Sequence, residues 1–378
     1  MQPAHTNERN ATARDLSFRR FILLAGVALF GTVGVVWFYI IAFPMAYSGR
    51  DYPLSLAKSD LIAQCRPNEV AIFGDSRVVA GVLPTAMQVP VENLAFPAAS
   101  PVETYFFVKR LLRCPQPPRL VIIAHSASMY PQDKYFWSVF AGMGLLSTAD
   151  MRAVEANAHA LDDDELQHAE RPTAIPFSLL PQLYAMRFPP LYFGNLLGGY
   201  VAARWRYNER AMHDAITSSG RSSFGTADGS DAVSDEVQMA DWRVSPLVNL
   251  YLDRTLALLA ARHVPVMIMT MPINAATCAH LPPVVQPRLT AYLAQVKQAY
   301  PNVEFVDSTI PCWPNRFYGD AWHFNMSGAI AYSLKLQQVL DPYLLADAKT
   351  PGHQDQTAMA YWKESSVSAP KMMETPDE

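Results

Sequence analysis

Hydrophobic positions along the chain fall into two regimes. In the first, residues 21–43 (FILLAGVALFGTVGVVWFYIIAF) form an unbroken run of 23 residues without a charge. At a helical rise of ~1.5 Å per residue, such a run covers a hydrocarbon core ~30 Å thick. From about residue 69 the text changes to short β-rich runs alternating with helical periodicity. Runs at 70–73, 91–96, 120–124, 266–271 and 303–306 predict five strands. Ser100-Pro101-Val102-Glu103 is a capping box with proline at the first helical position, and predicts a helix to about residue 113. Ser245-Pro246 opens a second helix, to about residue 262. Helices near 288–299 and over 326–340 complete the pattern.

Strands with few charges, alternating with helices, predict a parallel sheet covered on both faces. The right-handed crossover rule then favours an α/β fold, a three-layer doubly wound sheet of about five parallel strands. Catalytic groups should gather at the carboxyl ends of those strands. About 110 residues between the third strand and the helix at 246 break the rhythm. They are largely helical in pattern, with an acidic run at 162–165 and an apolar, aromatic stretch over 175–205. We read 135–240 as a helical insertion in a domain spanning 44–345, packed over the mouth of the sheet. Residues 218–235, rich in Ser, Gly and Asp, read as a mobile loop. The polar segments 1–20 and 346–378 read as disordered tails.

Charge orients the apolar run. Arg9, Arg14, Arg19 and Arg20 precede it, and only Arg50 follows closely. The positive-inside rule puts the N-terminus in the cytoplasm and residues 44–378 outside. Trp37, Phe38 and Tyr39 stand toward the outer end, as interfacial aromatics do. A cleaved signal peptide is the alternative, but its apolar core is usually ~7–15 residues, and no Ala-x-Ala site follows here. A net charge of −4 offers no basic surplus for nucleic acid. Cys65, Cys114, Cys278 and Cys312 all lie on the outer side. Disulfides are therefore open to them, beside the alternative of four buried thiols. No metal cluster, phosphate loop or nucleotide motif is found, so no cofactor is expected.

The first strand stops at Gly74-Asp75-Ser76. A serine nucleophile needs a base within hydrogen-bond reach and an acid to orient that base. Among nine histidines, His323 stands three residues after Asp320, in YGDAWHFNMSGA, where a turn or helix start brings such positions together. Glu165 and His168 imitate the spacing inside an acidic run that reads as solvated. His125, directly after a strand, is a second candidate base, but reads better as a core or site-edge histidine.

Gly-Asp-Ser after the first strand, followed by Asp-x-x-His before the last helix, resembles the SGNH (GDSL-type) hydrolase family. The resemblance covers roughly residues 66–134 and 246–343. It implies an SGNH, flavodoxin-like sheet with Ser76 as nucleophile, His323 as general base and Asp320 as its partner. The family's oxyanion hole adds a backbone N–H from a second block, here Asn93-Leu-Ala-Phe-Pro-Ala98, with Ala98 in the place of a glycine. A third block normally supplies an asparagine side chain. Here it reads Ser126-Ala-Ser128-Met129, so Ser128 offers only a shorter hydroxyl. Losing one oxyanion donor commonly costs ~10²–10³ in rate. Arg77 stands where the family usually has leucine, and either binds an anionic group or faces solvent. The family's strand neighbours further imply the disulfide pairs 65–114 and 278–312.

NLAFPAASPVE and the departed third block are similar to membrane-anchored SGNH-like proteins of bacterial envelope O-acylation systems. That likeness implies a serine esterase or O-acyltransferase, acetyl by analogy, held on the bacterial inner membrane with its catalytic domain in the periplasm. It implies an envelope or secreted polysaccharide as substrate and a multi-pass membrane acyltransferase as partner. The alternative is an inactive SGNH-like scaffold in a polysaccharide synthesis or acylation complex. The insertion suits either, as a lid or a docking surface, and equally an ordinary helical subdomain.

Overall fold

The computed structural model describes residues 5–66, 70–164, 166, 169–172, 175–306 and 309–346. A single helix runs from His5 to Ala42, and its stretch Phe18–Ala42 is long and apolar enough to cross a membrane. The polar residues 5–17 continue this helix instead of forming the expected disordered tail. Once the apolar segment has nucleated a helix, extending it through Ala, Glu and Arg costs little. Residues 1–4 and the C-terminal tail beyond Ala346 lie outside the described residues.

Seven strands follow: β1 (Val70–Gly74), β2 (Val91–Asn93), β3 (Leu120–His125), β4 (Val266–Thr270), β5 (Ile273–Asn274), β6 (Val303–Phe305) and β7 (Cys312–Trp313). Five of them form one parallel sheet in the order β2-β1-β3-β4-β6, and β5 pairs with β7. Alternation along the strands separates two cores. Ala71, Phe73, Val121, Ile123 and Ile268 face one, with residues of the helices Pro101–Leu111, Pro246–Ala261 and Val285–Ala299. Ile72, Ile122, Ala124, Met267 and Met269 face the other, with the helices Ser76–Gly81 and Met326–Ala346. The sheet is therefore the middle of three layers. Its order reverses between β1 and β3, and the carboxyl ends at such a switch point form a crevice.

The second strand is shorter than its apolar text. After Asn93 the chain still donates from Leu94 N–H to Ile72 O (2.8 Å) and from Phe96 N–H to Gly74 O (3.0 Å). On its outer side Asn93 N–H donates to Ser219 O (3.0 Å), so the insertion covers the sheet edge.

The insertion divides into three parts. From its first part, Phe136, Trp137, Phe140, Leu180 and Tyr184 enlarge the first core. The helices Phe193–Val201 and Arg204–Thr217 instead pack on Pro44–Tyr47, and the second of them also on Asp51–Ala63. At the mouth of the sheet, the segment after residue 219 supplies Phe224 and Asp235 to the cavity that Tyr135 and Val139 line from the start of the insertion. Contrary to its composition, that segment is fastened. Ser222 N–H donates to Val79 O, Ser230 N–H to Asn315 O and Ser234 N–H to Thr277 Oγ1, while Asn274 and Asn325 amides hold the carbonyls of Ala232 and Ala227. The acidic run is not wholly solvated either: buried Asp163 accepts from Ser245 Oγ (2.5 Å) and Leu247 N–H (2.9 Å), capping the helix Pro246–Ala261. Glu165 and His168 lie outside the described residues.

Both disulfides form as the family resemblance implied, Cys65–Cys114 and Cys278–Cys312. The first joins the approaches to β1 and β3. The second ties the helix Ala275–His280 to β7.

Candidate active site

β1 must end on glycine because its neighbour leaves no room. A Cβ on Gly74 would run into the Ala124 carbonyl and Val78. The next residue, Asp75, caps the short helix Ser76–Gly81 by accepting from Arg77 N–H (2.9 Å). Its other oxygen accepts Ser126 N–H (2.7 Å) and Ser126 Oγ (2.5 Å) at the end of β3. One buried carboxylate thus locks the turn after β1 to the turn after β3, across the switch point. Ser126 Oγ in turn lies 3.1 Å from Ser128 Oγ. Trp242 Nε1 donates to Ala127 O (2.8 Å) from the other side.

Ser76 begins that helix half-buried, so its backbone N–H has no partner within the helix. Its Oγ lies 2.9 Å from His323 Nε2. The other ring nitrogen, Nδ1, lies 2.9 Å from Asp320 Oδ2 and 3.1 Å from Oδ1. A carboxylate can only accept, so Nδ1 carries the proton and Nε2 is left to accept from the serine hydroxyl. Asp320 also accepts the N–H groups of Trp322 (2.8 Å) and His323 (2.7 Å), which fixes the i, i+3 turn. Partial burial pushes the Asp320 carboxyl up, but the hydrogen bonds and charge of His323 with the two N–H groups outweigh it and hold it below its usual range.

The Asp320–His323 turn is braced from outside. Gly225 and Gly319 meet backbone to backbone, where a Cβ on either has no space. Phe224 stacks on His323 with centroids 4.7 Å apart, and the Arg50 guanidinium lies 5.0 Å over Phe224. Trp322 Nε1 donates to Asp235 Oδ1 (3.0 Å). Behind the turn, Asn325 accepts from Gly328 N–H (2.9 Å) and starts the last helix.

Ser76, His323, Ala98 and Ser128 line one cavity of about 340 Å³, together with Arg50, Tyr135, Phe224 and Trp322. Ala98 takes φ 61°, a left-handed conformation that explains why glycine suits its place. Two expected substrate contacts are not made. Arg77 neither faces solvent nor is free for an anion: its guanidinium is buried, 2.5 Å from Glu236 Oε2 and 3.2 Å from Pro272 O. Asn93 is fully buried beneath the site, where its amide donates to Val78 O (2.8 Å) and Val82 O (3.0 Å) at the end of the helix Ser76–Gly81. The buried Lys58 ammonium holds Asn93 O (2.6 Å) in turn. His125 is fully buried, with Nε2 3.1 Å from Thr104 Oγ1, and burial, opposed by the charge of Asp75, lowers its pKa to about 4. It is a core histidine.

Asp75 and Ser126 were passed over in sequence although both stand inside the quoted blocks. An aspartate directly before a serine at a helix start is a capping signal, but its second task, on a residue 51 positions away, has no local mark. Phe224 lies in a segment whose composition suggests only a loop, and Glu236 directly after it. No protein-family model matches the chain, and no curated protein is significantly similar to it.

Proposed function

We propose that this protein is a membrane-anchored serine esterase or O-acyltransferase that handles acyl groups on an envelope or secreted polysaccharide. The single observation that carries the reading is the continuous line from Ser76 Oγ through His323 to the Asp320 carboxylate, with both links at 2.9 Å. The SGNH resemblance of the sequence assigns the same three residues the same roles.

In this reading Ser76 Oγ attacks an acyl carbonyl while His323 Nε2 takes its proton. The Asp320 carboxylate compensates the imidazolium that forms. The new oxyanion is met by the N–H groups of Ser76 and Ala98, and by the Ser128 hydroxyl once it turns from Ser126 Oγ. His323 returns the proton to the leaving oxygen as the acyl–oxygen bond breaks. It then draws a proton from water or a sugar hydroxyl, which takes the acyl group and frees Ser76. Aromatic walls from Tyr135, Phe224 and Trp322 suit a sugar ring at the cavity mouth.

The helix Phe18–Ala42, long and apolar enough to cross a membrane, supports a membrane tether. Arginines before it favour a cytoplasmic N-terminus, and two disulfides fit a domain on the oxidising side. The bacterial inner membrane and a multi-pass acyltransferase partner follow from the family likeness. One feature favours the scaffold reading, namely that the third oxyanion donor is a serine hydroxyl and not an amide. Incubating the full chain with 4-nitrophenyl acetate and mapping the adduct by mass separates the two. An acetyl group on Ser76, absent in Ser76→Ala, is expected. No adduct on folded protein would leave the scaffold.

A further inference from the structure

The outer end of the apolar helix does not hang free of the domain. Trp37 Nε1 donates to Met186 O (2.8 Å), and its ring meets Phe188 edge to face. Ile40, Tyr47 and Tyr192 form a small buried core of their own, with Leu196 against it. Gly199 sits directly on the Tyr47 backbone, where a Cβ would collide. Asn208 donates to Met45 O (3.0 Å) and Ser48 O (2.9 Å). The helix Phe193–Val201 is thereby fixed beside the point where the anchor ends.

Its other face is apolar too. Phe193, Leu197, Tyr200 and Val201, at spacings of four, three and one, form a single outward stripe, and the last three are 74%, 89% and 86% exposed. A surface helix of a globular protein turns its apolar stripe inward and its polar residues outward. Here the exposed side carries the apolar stripe, with Asn195 as the exposed amide beside it. Contiguous exposed apolar patches mark contact surfaces, and Phe38, Tyr39 and Phe43 at the end of the anchor are exposed as well. The following turn carries Arg204, Arg206 and Arg210 against the single acidic Glu209. Exposed Trp205 and Tyr207 lie among them. An apolar face bordered by aromatics and arginines is the pattern of a helix lying in a bilayer interface, where such helices sink ~5–10 Å.

We propose that the helix Phe193–Val201 is a second membrane contact, lying in the headgroup region of the leaflet from which the anchor emerges. The occupant of the stripe is lipid, with the arginines on anionic headgroups. The proposal rests on the reading that residues 18–42 span the bilayer. Two contacts fix an orientation where one tether leaves the domain free to swivel. Arg50, which lines the cavity, is only eight residues beyond Ala42, a contour of at most ~29 Å. The cavity is then held in a fixed orientation close to the membrane.

The test uses the full chain in vesicles of phosphatidylethanolamine and phosphatidylglycerol. Nitroxide labels are placed by Leu197→Cys and Tyr200→Cys, both at exposed positions whose change disturbs no packing. Leu29→Cys serves as the reference inside the anchor and Arg262→Cys as the reference in water. Expected are collisions with oxygen exceeding those with a water-soluble nickel chelate at 197 and 200, as at 29, and the reverse at 262. A lipid signature at 29 with nickel access at 197 and 200 overturns the proposal and leaves the anchor standing. Shielding from both probes at 197 and 200 also overturns it, in favour of a second copy as occupant. Nickel access at 29 itself removes the anchor reading, and the proposal with it.

Discussion

Asp75 and Ser126 are joined by two hydrogen bonds to a single carboxylate oxygen, 2.7 Å from the N–H and 2.5 Å from the hydroxyl. The other oxygen caps the helix that presents Ser76. Removing the carboxylate therefore loses a helix cap, typically ~1 kcal/mol, and orphans a buried N–H, ~1–3 kcal/mol. Asp75→Ala should destabilise the domain by about 2–4 kcal/mol in denaturant unfolding. Asp75→Asn keeps an acceptor for the cap but sets an amide against the Ser126 donors. It should unfold between the two, with acylation of Ser76 slowed in both.

Asp320 tests the triad with less structural cost, because its carboxyl sits in a partly exposed turn. Asp320→Asn preserves shape but can donate where Nδ1–H needs an acceptor, so the imidazole turns to the wrong tautomer. In a working triad this change costs ~10⁴ in turnover. The expected result is a loss of about that size in the pre-steady-state burst with 4-nitrophenyl acetate, and an unchanged circular dichroism spectrum. A burst rate within threefold of wild type would remove Asp320 from the mechanism.

Most of the layered sheet was legible because its cause is local. Buried parallel strands read as short uncharged runs, and Ser100-Pro101-Val102-Glu103 states a helix start outright. The Ser76, Asp320 and His323 blocks were legible for a similar reason, since each is a compact motif at a strand end. What could not be read is partnership at long range. Arg77 lies beside Ser76 in sequence, but its fate is decided by Glu236, 159 residues on. Asn93 sits in the block expected to touch substrate, but the carbonyls of Val78 and Val82 claim its amide. The segment after residue 219 has the composition of a loose loop, and its order comes from individual hydrogen bonds that leave no periodicity.

Gly225 and Gly319 show such a relationship in backbone alone. Their close approach positions the turn that carries Asp320 and His323, with no side chain available to yield. Gly225→Ala should push that turn away from Ser76. We expect acylation to fall by at least an order of magnitude, since small misplacements at a catalytic centre are amplified in rate. The melting temperature should fall as well, because the added Cβ meets backbone that has no side chain to yield. An alanine variant with wild-type acylation would show that the loop does not position the turn.

Ser128 decides how much oxyanion stabilisation the third block retains. Its hydroxyl lines the cavity and is held 3.1 Å from Ser126 Oγ, itself fixed by Asp75. Because Ser126 Oγ gives its own proton to Asp75, Ser128 donates in that contact and must turn away from it to meet an oxyanion, so it contributes less than the ~10²–10³ in rate of a pre-positioned donor. Ser128→Ala should lower the acylation rate constant by roughly 10- to 100-fold and leave the apparent affinity for the ester unchanged. A change confined to affinity would make Ser128 a substrate contact and leave the two N–H groups as the whole oxyanion hole.

Two buried groups give the domain opposite pH slopes. Burial lowers the His125 pKa to about 4, against ~6.5 in the unfolded chain. As pH falls through 6.5 the unfolded chain binds a proton that the folded protein refuses, so stability is lost between pH 6.5 and 4. The full effect is on the order of 3 kcal/mol. Glu103 works the other way. Burial pushes its carboxyl up together with that of its buried neighbour Asp133, so the contribution of this acid pair is complete below the unfolded values of ~4 and is lost as pH rises above them. Urea unfolding of the full chain across pH 4.5–7.5 should therefore give a steeper acid-side loss in Glu103→Gln than in wild type. His125→Gln should instead gain stability toward the acid side. If His125→Gln kept the wild-type acid slope, the histidine would be protonated in the folded protein, and its place in the core would need another partner than Thr104.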